Sequence, residues 1–245
     1  MKSQKIKLNH TVNYNEVDQN LTLRLDSLFG YLQFAAVNHS EMVGAGTEFL
    51  KQLGYTWVLG KIQIILDHMP RLGDPLEIFT WSLGAKGFVA TRDFELCYNG
   101  LKFAKATSIW YFIDINKRRP LKVPAHIIEK YNSLNLEPNF PLLHKKKFVF
   151  DGNVDFLDNI SLRYSDFDSN LHVNNTAYFN YLQTALFNFK TKLPFIETIA
   201  CQFIKEIPNT CKSVEVIISE NSDSGKFKIK SETDFCIGEY KFRGL

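Results

Sequence analysis

The chain carries one 22-residue pattern twice, and this repeat constrains its fold more than any other feature. Residues 14–35 and 164–185 align without a gap at an offset of 150 positions (168 − 18 = 150). The identical pairs are Tyr14/Tyr164, Asp18/Asp168, Asn20/Asn170, Leu21/Leu171, Phe29/Phe179, Tyr31/Tyr181, Leu32/Leu182, Gln33/Gln183 and Ala35/Ala185. Chance rarely produces such agreement, so the pattern predicts two copies of one structural unit. Because His172 stands opposite Thr22, we expect any chemistry in the second copy.

The segments around the repeat follow the same order in both halves. An alternating strand pattern at 5–14 precedes helical apolar spacing at 25–39 and a strand-rich region from 57 to 115. Within that region, Asn99-Gly100 predicts a tight hairpin turn. The second half has a strand pattern at 148–150, and residues 160–164 lead into the repeated pattern. An apolar helix at 177–189 follows, and then strand patterns at 200–205, 213–219, 226–232 and the C-terminus. This order predicts an α+β fold with two antiparallel sheets, each wrapped around a long central helix.

A proline-rich segment separates the two halves. Residues 116–147 contain Pro120, Pro124, Pro138 and Pro141. We therefore predict a first domain at 1–120, a linker at 121–147 with a short helix near 125–131, and a second domain at 148–245.

Composition excludes several functional classes. The 245 residues are 45% apolar, and the net charge of +3 is too small to indicate nucleic-acid binding. The four cysteines lack metal-ligand spacing, which is typical of reduced thiols in the cytosol. The first residues already alternate like a strand, and no apolar run approaches the ~18 residues needed to span a bilayer. We expect a cytoplasmic protein without a signal or transit peptide.

The stretch from Asp166 to His172 is the strongest candidate for chemistry. It combines two carboxylates, the Asn170 amide and an imidazole just before a helical pattern. Such groups can activate water, and the free N–H groups at a helix start can stabilise an oxyanion. The oxyanion candidates are the backbone N–H groups of Val173, Asn174 and Asn175. Asp168 and Asn170 could instead only shape the turn, as we expect of Asp18 and Asn20. No phosphate-binding or metal motif is found, so we expect neither a nucleotide nor a metal cofactor.

The segment Arg163–Tyr178 resembles the catalytic segment of the acyl-acyl carrier protein (acyl-ACP) thioesterases of plant plastids and bacteria, which have a double hotdog fold. Further stretches resemble this family in the same order along the chain. They are Asn38-His39, Trp57-Val58, Gly73-Asp74, Arg92-Asp93, Ala106–Trp110 and Phe203–Glu206, the last resembling a strand that carries a glutamate.

The resemblance implies a catalytic group of Asp168, Asn170, His172 and Glu206 in the second domain, whereas the non-catalytic first domain would form the acyl pocket. Glu206 or Asp168 could draw a proton from water, and Asn170 could orient that water or polarise the carbonyl. His172 could hold the nucleophile in place or interact with a carboxylate partner. Ile207 occupies the position of the family's cysteine, which argues against a thiol nucleophile and leaves two routes, hydrolysis by activated water or attack by a carboxylate. The division of roles between base and nucleophile stays open.

The implied function is hydrolysis of fatty acyl-ACP to free fatty acid and holo-ACP. Since acyl carrier protein is strongly acidic, basic clusters are candidates for its docking. They are Lys117, Arg118, Arg119, Lys145, Lys146 and Lys147. Three alternatives share the fold: an acyl-CoA thioesterase, an acyl-binding regulator without activity, and a dehydratase. A homodimer is also possible.

Overall fold

A computed structural model describes residues 5–190 and 193–244 and divides them into two compact units. The first unit comprises the described residues before Arg24 together with Gly30–Lys145. The second comprises Arg24–Phe29 together with the described residues from Lys146 onward. Of the predicted linker at 121–147, residues 121–145 belong to the first unit and residues 146–147 to the second. In the described part of the chain, no helix is both long and apolar enough to cross a bilayer.

The first unit contains an antiparallel sheet in the order β1-β3-β4-β5-β2, with β6 beside β5. Its strands are β1 (Lys5–Thr11), β2 (Tyr55–Leu66), β3 (Pro75–Lys86), β4 (Val89–Tyr98), β5 (Leu101–Asp114) and β6 (Arg119–Pro120). Asn99 (φ 49°) and Gly100 (φ 75°) join β4 to β5. Two residues with positive φ match the right-handed twist of a two-residue hairpin, so the predicted turn is confirmed.

Helices cover the apolar residues of this unit. They are α1 (Leu25–Met42), whose residues from Gly30 onward belong here, α2 (Thr47–Gln52) and α3 (Ala125–Tyr131). Helix α3 follows Pro124, whose fixed φ suits a helix start, and it ends at Asn132 in a left-handed conformation. The short helix predicted near 125–131 is therefore confirmed. Leu50, Phe112, Val123 and Ile127 form a buried apolar cluster between α2, β5 and α3.

The second unit repeats the arrangement with the sheet order β8-β11-β10-β9-β7. Its strands are β7 (Phe156–Ser161), β8 (Ile196–Phe203), β9 (Ser213–Glu220), β10 (Ser224–Lys230) and β11 (Asp234–Phe242). The strand predicted at Phe148 and Phe150 is wrong, because the chain there has no strand partner and β7 begins only at Phe156.

The long helix of the second unit, α4 (Asn175–Phe189), packs on this sheet. Tyr181 and Leu182 on its inner face are fully buried. The ring of Phe203 on β8 meets Tyr178 edge-on at 5.2 Å, and Phe189 stacks on Phe156 of β7 at 5.0 Å. A long apolar helix thus lies against an antiparallel sheet, as the α+β prediction requires.

Candidate active site

The loop before α4 is a tight turn closed by its own backbone. The Asp168 N–H donates to the His172 carbonyl at 2.9 Å, and the Leu171 N–H donates to the Asp168 carbonyl at 3.1 Å. The Asp168 carboxylate accepts from the Asn170 N–H at 2.8 Å. Leu171 has a φ of 62°, which a leucine adopts only when its surroundings enforce it. These bonds fix the backbone that carries Asn170 and His172.

The first copy has the same turn with the same bonds. The Asp18 N–H donates to the Thr22 carbonyl at 2.8 Å, the Asp18 carboxylate accepts from the Asn20 N–H at 2.8 Å, and Leu21 has a φ of 58°. A carboxylate bonded to the N–H two residues ahead is a local turn device. Because Asp18 performs it without a histidine nearby in the turn, the turn-shaping interpretation accounts for Asp168 as well.

A buried carboxylate supports the turn of the second copy. Asp166 accepts from the Tyr181 hydroxyl at 2.7 Å, from the Arg163 N–H at 2.9 Å and from the Arg163 Nε at 3.2 Å. Its side chain is only 4% exposed. Every bond it makes is to the protein scaffold, so Asp166 anchors the turn to α4.

The first copy uses Glu16 in the same way. Its carboxylate accepts from the Tyr31 hydroxyl at 2.8 Å and from the Asn13 N–H at 2.7 Å, and His10 Nε2 lies 3.0 Å away. Tyr31 and Tyr181 are one of the identical pairs of the repeat. The anchor below the turn is therefore common to both copies.

The structure brings His172 and Glu206 together. Their Nε2 and Oε2 atoms are 3.3 Å apart, and the side chains are 27% and 43% exposed. Glu206 lies in the loop after β8, which ends at Phe203, so the prediction that a strand carries it is wrong. The Val173 N–H donates to the Ile207 carbonyl at 3.0 Å and holds this loop beside the turn. A partly exposed imidazole–carboxylate pair can exchange protons with a bound water.

The corresponding bond in the first copy identifies the counterpart of Glu206. There the Leu23 N–H donates to the Pro70 carbonyl at 2.9 Å. Since Leu23 and Val173 are repeat partners, Pro70 corresponds to Ile207, and Met69 corresponds to Glu206. The first copy therefore has Thr22 and Met69 where the second has an imidazole and a carboxylate.

Tyr178 belongs to the same cluster, and the sequence analysis missed it as a site residue. Its hydroxyl accepts the Ile207 N–H at 3.3 Å, next to Glu206, and the residue is 2% exposed. Burial raises the pKa of Tyr178, so the phenol stays protonated. Its repeat partner is Leu28. Comparing the two copies position by position, as for His172 and Thr22, would have revealed it.

The oxyanion candidates need a correction. The Val173 N–H donates to Ile207, as described above, and the Asn174 N–H donates to the Asp166 carbonyl at 2.8 Å. Both donors are therefore engaged, because they hold the turn to its neighbours. The Asn174 side chain caps α4 through the Thr176 N–H at 3.0 Å. The Asn175 N–H differs from the other two candidates. Within the described residues, it donates no backbone hydrogen bond outside the helix.

Asn170 and the cysteines complete the inventory of reactive groups. Asn170 is exposed, and its side-chain amide lies 3.4 Å from the Asp168 carboxylate, a weak contact that leaves the amide available. Cys201 and Cys236 are buried, and burial raises the pKa of the Cys236 thiol well above its usual value. A buried thiol in its neutral form is a poor nucleophile, which agrees with the argument from Ile207.

The predicted docking clusters differ in how much of their charge is available. The first cluster, residues 117–119, is exposed and lies at the β5–β6 connection, with Lys117 3.8 Å from Asp114. In the second cluster, Lys145 and Lys147 are exposed, whereas Lys146 is half-buried and pairs with Glu239 at 2.6 Å. Lys146 is thus already neutralised by an acidic neighbour.

Two family models match the chain. The acyl-ACP thioesterase N-terminal domain matches residues 3–131, and the acyl-ACP thioesterase C-terminal domain matches residues 151–241. Together the two matches include every residue of the two turns and of the His172–Glu206 pair.

Curated relatives come from plants. The chloroplastic palmitoyl-acyl carrier protein thioesterase of Arabidopsis thaliana is 26% identical over 187 residues, which are 71% of this chain and 45% of that protein. The chloroplastic dodecanoyl-[acyl-carrier-protein] hydrolase of Cinnamomum camphora is 23% identical over 225 residues, which are 86% of this chain and 59% of that protein. The chain thus spans about half the length of the curated relatives it matches.

Solved structures match over nearly the whole chain. An acyl-ACP thioesterase from Bacteroides thetaiotaomicron has a TM-score of 0.79 at 22% identity, covering 98% of both chains. The 12:0-ACP thioesterase from Umbellularia californica has a TM-score of 0.83 at 17% identity, covering 99% of this chain and 98% of that one. These matches confirm the predicted double hotdog fold.

Proposed function

Since the chain belongs to the acyl-ACP thioesterase family, we propose that it hydrolyses fatty acyl thioesters of acyl carrier protein to free fatty acid and holo-ACP. The observation that carries the proposal is the 3.3 Å contact between His172 and Glu206. This pair is found where the first copy has Thr22 and Met69, although both copies share the surrounding turn.

In the proposed reaction, a water beside the pair attacks the thioester carbonyl carbon. The His172–Glu206 pair accepts the water proton, a new C–O bond forms, and the C–S bond breaks. The thiolate of the carrier leaves and takes up the proton that the pair has held. A positioned base of this kind contributes roughly 10²–10⁴ in rate.

Two neutral donors stabilise the developing negative charge in this proposal. The side-chain amide of Asn170 points its weakly held N–H groups to the carbonyl oxygen, and the Asn175 N–H adds a donor at the start of α4. A preorganised donor at this position is worth about 10²–10³ in rate. Asp168 keeps Asn170 in place and takes no proton itself, which revises its predicted role.

We assign Tyr178 as a positioning residue. Its hydroxyl accepts the Ile207 N–H, and this bond fixes the backbone directly after Glu206. The phenol stabilises the loop conformation in which the carboxylate meets the imidazole.

Acyl carrier protein is the proposed carrier, and coenzyme A is the alternative. Docking of the acidic carrier would use the exposed members of the basic clusters, with little contribution from Lys146. Replacing Lys117, Arg118 and Arg119 with glutamine should lower kcat/KM on the carrier substrate and reduce its dependence on salt. A Lys146→Gln variant serves as the control and should change neither. The homodimer and the cytoplasmic location stay predictions.

The test of the proposal is thiol release from one acyl chain on both carriers. We expect free fatty acid and free thiol in equal amounts, with a higher kcat/KM on the protein carrier than on coenzyme A. A higher kcat/KM on coenzyme A would favour the alternative carrier. Tight binding without thiol release would indicate an acyl-binding regulator, and loss of water from a hydroxyacyl substrate would indicate a dehydratase.

A further inference from the structure

The first unit contains a partly open cavity of about 120 Å³ between α1, α2, α3 and the sheet. Its wall is mainly apolar, formed by residues such as Ala36, Leu50, Ala85, Val123 and Ile127. An apolar cavity of about 150 Å³ can hold a benzene molecule, so this one suits a ligand portion of roughly six non-hydrogen atoms.

A guanidinium lines this cavity without a carboxylate partner. Arg92 on β4 is 7% exposed, and its Nη1 donates to His39 Nδ1 at 2.8 Å and to Thr80 Oγ1 at 3.1 Å. Within residues 5–190 and 193–244, no acidic group forms an ion pair with Arg92, and its Nε and Nη2 donate no hydrogen bond. Burial lowers the pKa of Arg92 to about 10, so it remains a cation at neutral pH. A buried charge without a counter-ion is strongly unfavourable.

A second donor on the same wall also lacks an acceptor. Trp57 on β2 lines the cavity, and its indole Nε1 is buried with no hydrogen-bond partner among the described residues. The other tryptophan of the wall, Trp110, already donates to Ser108 Oγ at 2.7 Å. Buried donors are nearly always satisfied in native proteins, so an unpartnered indole N–H on the same wall as a guanidinium without a counter-ion points to an acceptor from outside the chain.

We propose that this cavity binds a carboxylate attached to a short apolar chain, with Arg92 as its counter-ion and the Trp57 N–H as an additional donor. The planar guanidinium can donate two parallel hydrogen bonds to a carboxylate, and the apolar wall accommodates the chain. The ligand has two sources: a free fatty acid, or the distal carboxylate of an acyl chain that is still esterified to its carrier. Binding at this site does not depend on the His172–Glu206 pair.

Indole N–H signals of the ¹⁵N-labelled protein test the proposal, since the chain has only three tryptophans. Hexanoate should shift the Trp57 signal saturably at pH 7, and hexan-1-ol should bind at least tenfold more weakly. Trp81 is an internal control, because its Nε1 is likewise buried and unpartnered among the described residues but does not line the cavity. An unmoved Trp57 signal, or equal affinities for acid and alcohol, would overturn the proposal.

Variants assign the binding to the two donors. Trp57→Phe removes only the N–H and should weaken hexanoate binding several-fold, whereas Trp81→Phe should leave it unchanged. Arg92→Met should weaken it at least tenfold. If Arg92→Met does not fold, the Trp57→Phe and Trp81→Phe comparison decides, and equal hexanoate affinities of those two variants would contradict the proposal.

The two sources are separated by hydrolysis of matched substrates. If the distal carboxylate is the ligand, an ω-carboxyhexanoyl thioester should have a higher kcat/KM than a hexanoyl thioester, and Arg92→Met should reverse this preference. If free fatty acid is the ligand, the plain thioester should be preferred while hexanoate still binds. Failure to hydrolyse either substrate would refute the proposed function and leave the binding result intact.

Discussion

The turn at residues 14–22 and the turn at residues 164–172 have nearly the same backbone but differ in their reactive side chains. Each has an aspartate that accepts the N–H two residues ahead and a leucine with positive φ. In each, a tyrosine hydroxyl also donates to the carboxylate that anchors the turn, which is Glu16 in the first copy and Asp166 in the second. Only the second has an imidazole within the turn itself, where His172 lies next to the Glu206 carboxylate of the facing loop. Residues that both copies keep are therefore explained by the fold, and residues in which they differ are the better candidates for function.

Three positions at which the two copies differ lie close together in the second copy. Thr22, Leu28 and Met69 in the first copy correspond to His172, Tyr178 and Glu206 in the second. Those three residues are linked through the His172–Glu206 contact and the bond from Ile207 to Tyr178. Substitutions at corresponding positions of the two copies test whether these differences carry the function.

The largest effect is expected from Glu206→Gln, which keeps the shape of the side chain and removes its charge. Thiol release should fall roughly 10²–10⁴-fold in kcat/KM, because the pair can no longer accept a proton. Met69→Gln changes the corresponding residue of the first copy and should lower kcat/KM by no more than a few-fold. Comparable losses in the two variants would mean that the second copy has no special chemical role.

The shared anchor should matter for stability in both copies, and more in the second. Tyr181→Phe leaves the Asp166 carboxylate without its hydroxyl donor and should lower the free energy of unfolding in urea by about 1–3 kcal/mol. Tyr31→Phe should cost less, since the side chain of Glu16 is 18% exposed against 4% for Asp166. A larger loss for Tyr31→Phe would reverse this ranking.

Tyr178→Phe should reduce kcat/KM about fivefold without a comparable change in KM, because the Glu206 loop loses the acceptor for Ile207, a hydrogen bond of about 1 kcal/mol. A purely structural role would leave the pH–rate profile in place. We therefore also expect the variant to shift the apparent pKa of the profile, since the imidazole–carboxylate contact changes. An unchanged profile would remove Tyr178 from the site.

The smallest expected effect is the pH dependence of the stability that Glu16 contributes. Burial raises the pKa of Glu16, but hydrogen bonds from the His10 ring, the Asn13 N–H and the Tyr31 hydroxyl outweigh it and hold the pKa below its usual value. A depressed pKa stabilises the fold above the unfolded value of about 4.3, and this contribution is lost as pH falls through the folded pKa. Wild type should therefore lose its stability advantage over Glu16→Gln at low pH. Thermal midpoints measured between pH 7 and pH 3 test this, and a constant difference would argue against it.

Much of the fold could be predicted from the sequence because it depends on local patterns. The repeat, the helix at Ala125–Tyr131 and the turn at Asn99-Gly100 follow from apolar spacing, Pro124 and residues that tolerate positive φ. The strand expected at Phe148 and Phe150 was wrong, since two alternating aromatics do not reveal whether a partner strand is present.

The candidate site was predictable only in part. The motif and the family resemblance identified His172 and Glu206, but the engaged N–H groups of Val173 and Asn174 depend on tertiary contacts with Ile207 and Asp166. The Arg92 cavity could not be predicted from the sequence for the same reason, because its wall combines segments that are far apart in sequence.

The proposed mechanism requires His172 and Glu206 to act as one proton-accepting unit, and a double-mutant cycle measures whether they do. The kcat/KM for thiol release would be measured for wild type, His172→Ala, Glu206→Gln and the double variant. Residues that act as a unit are non-additive, so we expect the double variant to lose about as much as the more severe single variant. If the two losses multiply, so that kcat/KM of the double variant falls by the product of the two single effects, the two residues act independently and the proposed unit is wrong.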